Sequence, residues 1–361
     1  LAEFIRGHQR WGVVALLFVV AAVNNLDRQA LSVLAATLKT ELNFGNVEYS
    51  YISSAFLAAY GLGYAFCGRF IDRWGVKLAL AAALAFWSFA GMLHAVAIGW
   101  MSLAFARFLL GLGESFNSPA GVKAIAEWIP PRERGLSMAV FSNGNIVGAI
   151  LAPPLVSFLA IRFGWQWSFI ATGLAGFVLL LAWWRFYDHP DQHRRVTLAE
   201  RAYIREQLTV ASPTAPRPSM WALLRHPLCL GFFTVRFLTD PTSYFFSFWL
   251  PDYLQHSRGF TLAMIGLVAW IPFLASDIGG PGGGALSDLF VRRGWPPRRA
   301  RLTLMGAAAL LMPLAAVAVR VETAGVAIAL IALLLAAQSC WMANQLTLIS
   351  ESVPRENVGT Q

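Results

Sequence analysis

The sequence predicts an all-α integral membrane protein, a chain of bilayer-crossing helices arranged in two similar halves. Three observations predict it. Of the 361 residues, 57% are apolar and 13% charged, about half the charged share of a soluble domain. Apolar runs long enough to cross a bilayer follow one another along the chain. The 28 Lys and Arg gather between those runs, mostly in every second loop. A soluble chain of this composition could not cover its surface with polar residues, and disorder or a disulfide scaffold is excluded as well. Cys67, Cys229 and Cys340 stand singly in apolar runs, so neither a zinc site nor a disulfide framework is expected.

The expected spans are 11–38, 49–70, 76–98, 101–128, 135–161, 165–187, 228–254, 261–290, 301–320 and 324–350. Each approaches or exceeds the ~20 residues that cross about 30 Å of hydrocarbon. Short polar turns join most of them. The exception is 188–225. There Thr197-Leu198-Ala199-Glu200 reads as a capping box that opens a short amphipathic helix. Pro213, Pro216 and Pro218 then mark a linker. The expected organisation is a six-helix half over 1–187, a cytoplasmic linker over 188–225 and a second half over 226–361.

With the N-terminus in the cytoplasm, twenty basic residues fall on the cytoplasmic side. Only Lys39, Arg162, Arg258 and Arg320 fall outside, while Arg28, Arg107, Lys123 and Arg236 lie within spans. Positive residues collect in cytoplasmic loops. A multi-pass protein of the inner (plasma) membrane with a cytoplasmic N-terminus is therefore expected. The net charge of +9 is then a matter of topology, and no nucleic-acid partner is expected.

An internal repeat supports the two halves. Gly68, Asp72, Arg73, Gly75 and Lys77 follow the second span, and Gly284, Asp288, Arg292 and Arg293 follow the eighth. Each is Gly-x-x-x-Asp followed by basic residues. Repeated halves are typical of transporters, with the substrate site between them.

The stretch Gly68-x3-Asp72-Arg73-x-Gly75-x-Lys77 resembles the loop signature of the major facilitator superfamily. Asn24-Asn25-Leu26-Asp27-Arg28, Arg107-x3-Gly111-x-Gly113-Glu114 and Ser118-Pro119 through Glu127-Trp128-Ile129-Pro130 are similar to its anion:cation symporter family. Pro119-Ala120-Gly121, Ala152-Pro153-Pro154-Leu155-Val156, Arg236-x3-Asp240-Pro241, Trp270-Ile271-Pro272 and Ala275-Ser276-Asp277 are most like the hexuronate transporters. The resemblance covers essentially the whole chain and implies a major facilitator fold of two pseudo-symmetric helical halves. That family has twelve helices, so ten spans read as a chain incomplete at its C-terminus, and Leu1 reads as a missing start. The resemblance further implies that Asp27 and Glu114 carry coupled protons, and that Arg28 and Arg107 handle the substrate anion and the acids. Within the loop signature, Gly68 would permit close helix approach, while Asp72, Arg73 and Asp288 would act as gate residues.

Four acids lie well inside spans: Asp27, Glu114, Asp240 and Asp277. A charge in hydrocarbon is costly, so each is functional or tightly paired. Arg28 follows Asp27 by ~100° around the helix, so the two cannot point one way. Arg28 suits a substrate carboxylate, because its planar fork can hold both oxygens. The alternative is a structural ion pair of Asp27 with an arginine across helices. Arg107 and Glu114, seven residues apart, share one helix face, with Gly111 opening room between them. They read as a pair whose protonation answers to substrate, or as a permanent salt bridge. Arg236 and Asp240 stand at i,i+4, as a structural pair or as substrate contacts. Asp277 reads as gate or site. The glycine-rich run that follows it, 279–284, would bend its helix or admit a close neighbour. Lys123 and Glu127, also at i,i+4, read as a structural pair. Tyr60, Asn143, Asn145, Trp270, Gln338, Asn344 and Gln345 offer donors and acceptors for a polyhydroxy substrate, or else join helices. Tyr60 and Asn145 match cavity-lining positions in the resemblance.

Nucleotide, dinucleotide and metalloprotease motifs are absent from the sequence, so neither an enzyme nor a cofactor is expected. The reading is a monomeric, proton-coupled symporter that imports a small organic anion, a hexuronate such as glucuronate or galacturonate, by alternating access in the lipid bilayer. Its rivals are a symporter for an aldonate such as galactonate, an aldarate or an aromatic acid. Rivals of another class are a polytopic membrane enzyme and a non-transporting sensor.

Overall fold

The computed structural model describes residues 9–131, 133–193, 195–209 and 227–352, and every regular element among them is a helix. The expected linker prolines, together with Arg132, Arg194, Arg217, Arg225 and Arg355, lie outside the described residues. The chain divides into two compact units, Leu1–Ser212 with Pro251–Leu267 and Pro213–Leu250 with Val268–Gln361.

The first unit begins with α1 (Gln9–Val33), α2 (Ala35–Glu41) and α3 (Asn46–Leu93), which ends in a 3-10 turn over His94–Val96. The α3 stretch joins the expected second and third spans into one helix. Gly75 bends it, with φ 76° and ψ 161°, a backbone region that costs glycine nothing and other residues a steric clash. The fourth span is split into α4 (Trp100–Glu114) and α5 (Asn117–Trp128). α6 (Arg134–Phe163), α7 (Trp165–Phe186) and the linker helix α8 (Leu198–Thr209) follow. α1 packs on α6, and α3 packs on α4 and α7. Close approach sets the first of these contacts, since a Cβ on Gly148 of α6 would collide with the Ala22 carbonyl of α1.

The expected capping box forms only in part. The Thr197 hydroxyl accepts the Glu200 amide at 3.2 Å. The Glu200 carboxylate turns elsewhere and takes the Gln9 and Arg10 amides at 3.3 and 3.2 Å, so it caps α1 instead of its own helix. Arg10 also reaches Glu133 at 3.0 Å. In the connecting loop, Arg205 donates to Asp191 at 2.7 Å. That bond holds the Asp191 carboxyl below its ordinary range.

The remaining helices are α9 (Pro227–Arg258), α10 (Leu262–Val268), α11 (Ile271–Arg292), α12 (Pro297–Leu311), α13 (Leu314–Arg320) and α14 (Ala324–Ser352). In the second unit α11 packs along α14. The glycine-rich run stays helical and admits that neighbour. Side chains on Gly279 and Gly283 would collide with the Ala336 backbone and the Cys340 thiol.

Among the described residues, seven helical stretches are long and apolar enough to cross a bilayer. One of them, Asn46–Val96, has 51 residues; at ~1.5 Å per residue it is more than twice as long as a bilayer core is thick. Large apolar side chains face outward, among them Leu310 at 81% exposure and Leu181 and Phe237 at 70%. Lipid tails rather than water are the fitting solvent for such a surface.

Gly148→Val should destabilise the protein by about 1–3 kcal/mol through overpacking at the α1–α6 contact. Gly61→Ala, where a Cβ meets nothing within 4 Å, should leave the melt unchanged or slightly raised. Thermal unfolding of the two purified variants checks this. Identical melting curves would mean that the close approach is dispensable.

Candidate functional site

The buried charges of the first unit converge between α1, α3 and α4. Gly111 makes this possible: a Cβ there would lie 2.5 Å from the Phe56 carbonyl oxygen and 3.2 Å from the Tyr60 nitrogen. The backbones of α3 and α4 therefore touch where α4 carries its charges. Arg28 of α1 donates through Nε and Nη2 to one oxygen of Glu114, at 3.1 and 2.9 Å. The other Glu114 oxygen, Oε1, is buried without a hydrogen-bond partner among the described residues. Arg107, 1% exposed, donates through Nη2 to the Arg28 carbonyl at 3.2 Å. Its Nε and Nη1 have no hydrogen-bond partner among the described residues.

So Glu114 does not pair with Arg107 two turns along its own helix. It pairs across helices with Arg28. Asp27 is buried as well, and neither of its oxygens has a hydrogen-bond partner among the described residues. The nearby Thr172 hydroxyl donates instead to the Phe169 carbonyl at 3.3 Å. The expected alternative, an Asp27–arginine ion pair, does not form among the described residues.

Aromatic rings complete the site. The Arg28 guanidinium carbon is 4.8 Å from the Tyr60 ring centroid and 5.2 Å from that of Phe56. Arg107 lies 5.6 Å from the same Phe56 ring. Tyr60 is half-buried and stacks on Phe56 at 5.8 Å. Asn145 is partly exposed on α6 and donates weakly to Ser142 of its own helix at 3.5 Å.

The second unit holds the other candidates. Arg236 and Asp240 pair at 3.0 Å. Gln338 joins α14 to α9, donating to the Thr239 carbonyl at 3.2 Å and the Ser243 hydroxyl at 2.6 Å. Gln345 is buried with its Oε1 unpartnered among the described residues. Asn344 donates to the Cys340 carbonyl at 2.9 Å. Trp270 immediately precedes α11 without a side-chain capping bond, and Asp277 is half-buried in that helix without an ion pair among the described residues.

The gate candidates take different parts. Asp72 binds Lys123 at 2.6 Å, and Asp288 binds Arg301 at 2.7 Å. In each unit, the repeated Asp thus ties its helix to a cation on another helix, Asp72 just before the bend at Gly75 and Asp288 near the end of α11. Lys123 therefore does not pair with Glu127, which accepts the Tyr187 hydroxyl at 3.1 Å. Arg73 is exposed. Gly68 is exposed too, and a Cβ there would meet nothing within 4 Å, so close helix approach is not its role in this structure.

A family model described as Major Facilitator Superfamily matches residues 17–361. The chain belongs to the major facilitator superfamily. It is 35% identical over 285 residues to the hexuronate transporter of Escherichia coli (strain K12), a match covering 78% of this chain and 66% of that protein. It is 34% identical over 283 residues to the galacturonate transporter of Dickeya chrysanthemi, covering 78% of this chain and 82% of that protein. Among solved structures, it is similar to an inward-facing, unoccupied bacterial homolog of the human lysosomal transporter Spinster. There the TM-score is 0.75 at 17% identity, over 98% of this chain and 78% of that one. A D-xylose-proton symporter gives a TM-score of 0.71 at 16% identity, over 96% of this chain and 85% of that one. At these identities the structures support the fold alone.

In this major facilitator chain the sequence reading missed a second buried cluster. Lys39 and Asp252 form an ion pair at 2.7 Å, with side chains 7% and 8% exposed. Lys39 also donates to Asn46 at 2.6 Å and sits 4.8 Å over the buried Tyr49 ring. His256 approaches the other Asp252 oxygen at 3.1 Å, and Gln255 donates to the Val33 carbonyl at 3.3 Å. These contacts explain why 251–267 groups with the first unit. Lys39 had been counted as a loop charge, and only its place among four basic residues outside the cytoplasmic loops set it apart.

Removing one partner of a buried ion pair costs about 3–5 kcal/mol, whereas apolar replacement of both can be neutral. Asp252→Ala alone should therefore lower the melting temperature strongly. Lys39→Met with Asp252→Leu should recover most of the loss. Equal loss in the single and double variants, measured by thermal unfolding, would show that the pair holds nothing together.

Proposed function

We propose that this chain is the core of a proton-coupled symporter that imports a sugar acid, a hexuronate such as glucuronate or galacturonate, by alternating access. The observation that carries the reading is Arg28, held by one oxygen of Glu114 beside an unpaired Asp27. A substrate carboxylate and Glu114 compete for the same planar fork. A carboxylate that takes Arg28 releases Glu114, which then accepts a proton or turns to the open donors of Arg107. Asp27, hydrogen-bonded to neither arginine, is the second group free to exchange a proton. Tyr60 lies beside Arg28 and offers its hydroxyl to the sugar. Relatives named hexuronate and galacturonate transporters, at about 35% identity, support the substrate class.

The proposal includes ten crossings. The 51-residue stretch Asn46–Val96 accounts for two, six other apolar stretches for one each, and α4–α5 and α9 for the rest. Twenty of the 28 basic residues on one side favour a cytoplasmic N-terminus and the inner membrane of a bacterium. Halves over 1–187 and 226–361, joined by the linker at 188–225, complete the organisation. Asn145, Arg236, Asp240, Trp270 and Gln345 are the further substrate-facing candidates. Asp72, Arg73, Asp277 and Asp288 are the gate candidates.

A second reading, an aldarate, is favoured by a relative named probable galactarate/D-glucarate transporter from Bacillus subtilis (strain 168), 33% identical over 301 residues. An aldarate brings a second carboxylate and needs a second cation; Arg236 is already paired with Asp240, so the open donors of Arg107 are the ones it would take.

Uptake of labelled glucuronate, galacturonate, galactonate and galactarate into proteoliposomes tests the proposal. A pH gradient alone should drive accumulation of the hexuronates. Arg28→Lys should weaken binding about tenfold or more, because lysine lacks the bidentate fork. Asp27→Asn and Glu114→Gln should lose concentrative uptake while keeping counterflow. Uptake that follows sodium and ignores pH, or full accumulation by both acid variants, would overturn the proton-coupled mechanism.

A further inference from the structure

Phe56 has no polar side-chain atom, yet both guanidinium groups of the first unit lie at its ring. The centroid distances are 5.2 Å to Arg28 and 5.6 Å to Arg107, inside the ~6 Å range of cation–π attraction. The ring is 1% exposed, and desolvation strengthens that attraction. Its position is fixed from two sides. The Gly111 contact pins the Phe56 backbone against α4. Tyr60, one turn further on, stacks on the ring with an interplanar angle of 28°.

Two like charges near one another in apolar surroundings repel. Of the two acids nearby, Glu114 is hydrogen-bonded only to Arg28, and Asp27 to neither arginine. The Phe56 ring is an uncharged group that both cations share. An arginine side chain released from its carboxylate would otherwise regain its rotamers, and that freedom would have to be lost again when an anion bound.

We propose that Phe56 is a positioning residue for anion binding: its ring holds the Arg28 and Arg107 guanidinium groups in place while Glu114 and the substrate carboxylate exchange on Arg28. This rests on the proposed reading of Arg28 as the partner of the carboxylate. Phe56 itself makes no polar contact with the anion. It lowers the ordering cost of the group that does.

The test is binding of D-glucuronate and D-galacturonate to the full-length protein in nanodiscs, by titration calorimetry, for three ring states. Phe56→Leu keeps apolar volume and loses the π face. Replacement of Phe56 by 3,5-difluoro- and 3,4,5-trifluorophenylalanine keeps the shape while draining the face of negative charge. Affinity should fall in steps along the fluorinated series and about tenfold for Phe56→Leu, with transport KM rising and the maximal rate retained. A packing role alone would not respond to fluorination. Wild-type affinity in the trifluoro protein, or a loss confined to Phe56→Leu, would overturn the inference and leave the transport reading standing. A wild-type protein that binds neither hexuronate, nor galactonate or galactarate, would overturn the sugar-acid reading and this inference with it.

Discussion

A guanidinium enclosed by apolar helices must be met by acceptors, and the first unit is arranged around that demand. Arg28 spends two donors on one Glu114 oxygen, at 3.1 and 2.9 Å. Arg107 finds one backbone carbonyl, that of Arg28, and leaves two donors open among the described residues. Burying an unmatched ion is costly, so every open N–H there is a standing preference for an anionic oxygen. The touching backbones at Gly111 belong to the same arrangement. Without that approach, α3 could not lay Phe56 beside both arginines and Tyr60 beside Arg28.

The second unit uses its polar residues differently. Arg236 is matched by Asp240 on the next turn of α9, and Gln338 is spent on joining α14 to α9. Between helices in lipid there is little hydrophobic gain from association, so small residues and interhelical hydrogen bonds supply the cohesion. Gly279 and Gly283 against α14 are the small-residue part of that pattern. Among the described residues, the open donors of Arg107 thus lie in the first unit, whereas Arg236 of the second is matched.

Much of this was legible in the sequence, for a simple reason. A charge inside an apolar run is conspicuous, so Asp27, Arg28, Arg107 and Glu114 could be singled out without coordinates, and span length and the Gly-x-x-x-Asp repeat pointed to the fold. What the sequence could not decide was pairing. Spacing alone put Glu114 with Arg107 and Lys123 with Glu127, because i,i+4 and i,i+7 neighbours are all that one helix displays. The structure pairs each across helices, with Arg28, Asp72 and Tyr187. Lys39 and Asp252 escaped notice because each lies close to a span end, where charge is ordinary. Glu200 does not close the capping box expected of it; the helix it caps begins far away in sequence, at Gln9. Gly68 was misjudged within its signature, since the conformational demand falls on Gly75.

On the proposed reading, charge balance in the first unit would link the anion to the proton without any further device. The set holds two arginines and two carboxyl groups, and only Glu114 is hydrogen-bonded to an arginine. With both carboxyls ionised the four are neutral together, and a second anion at Arg28 would bring an uncompensated charge into a low dielectric. With one carboxyl protonated, the set carries a single positive charge that one substrate carboxylate cancels. On that reading, anion entry and protonation would be favoured together and opposed separately. Because Glu114 and the substrate would use the same two donors of Arg28, the exchange needs no movement of the cation, only that its guanidinium stay where Phe56 and Tyr60 hold it.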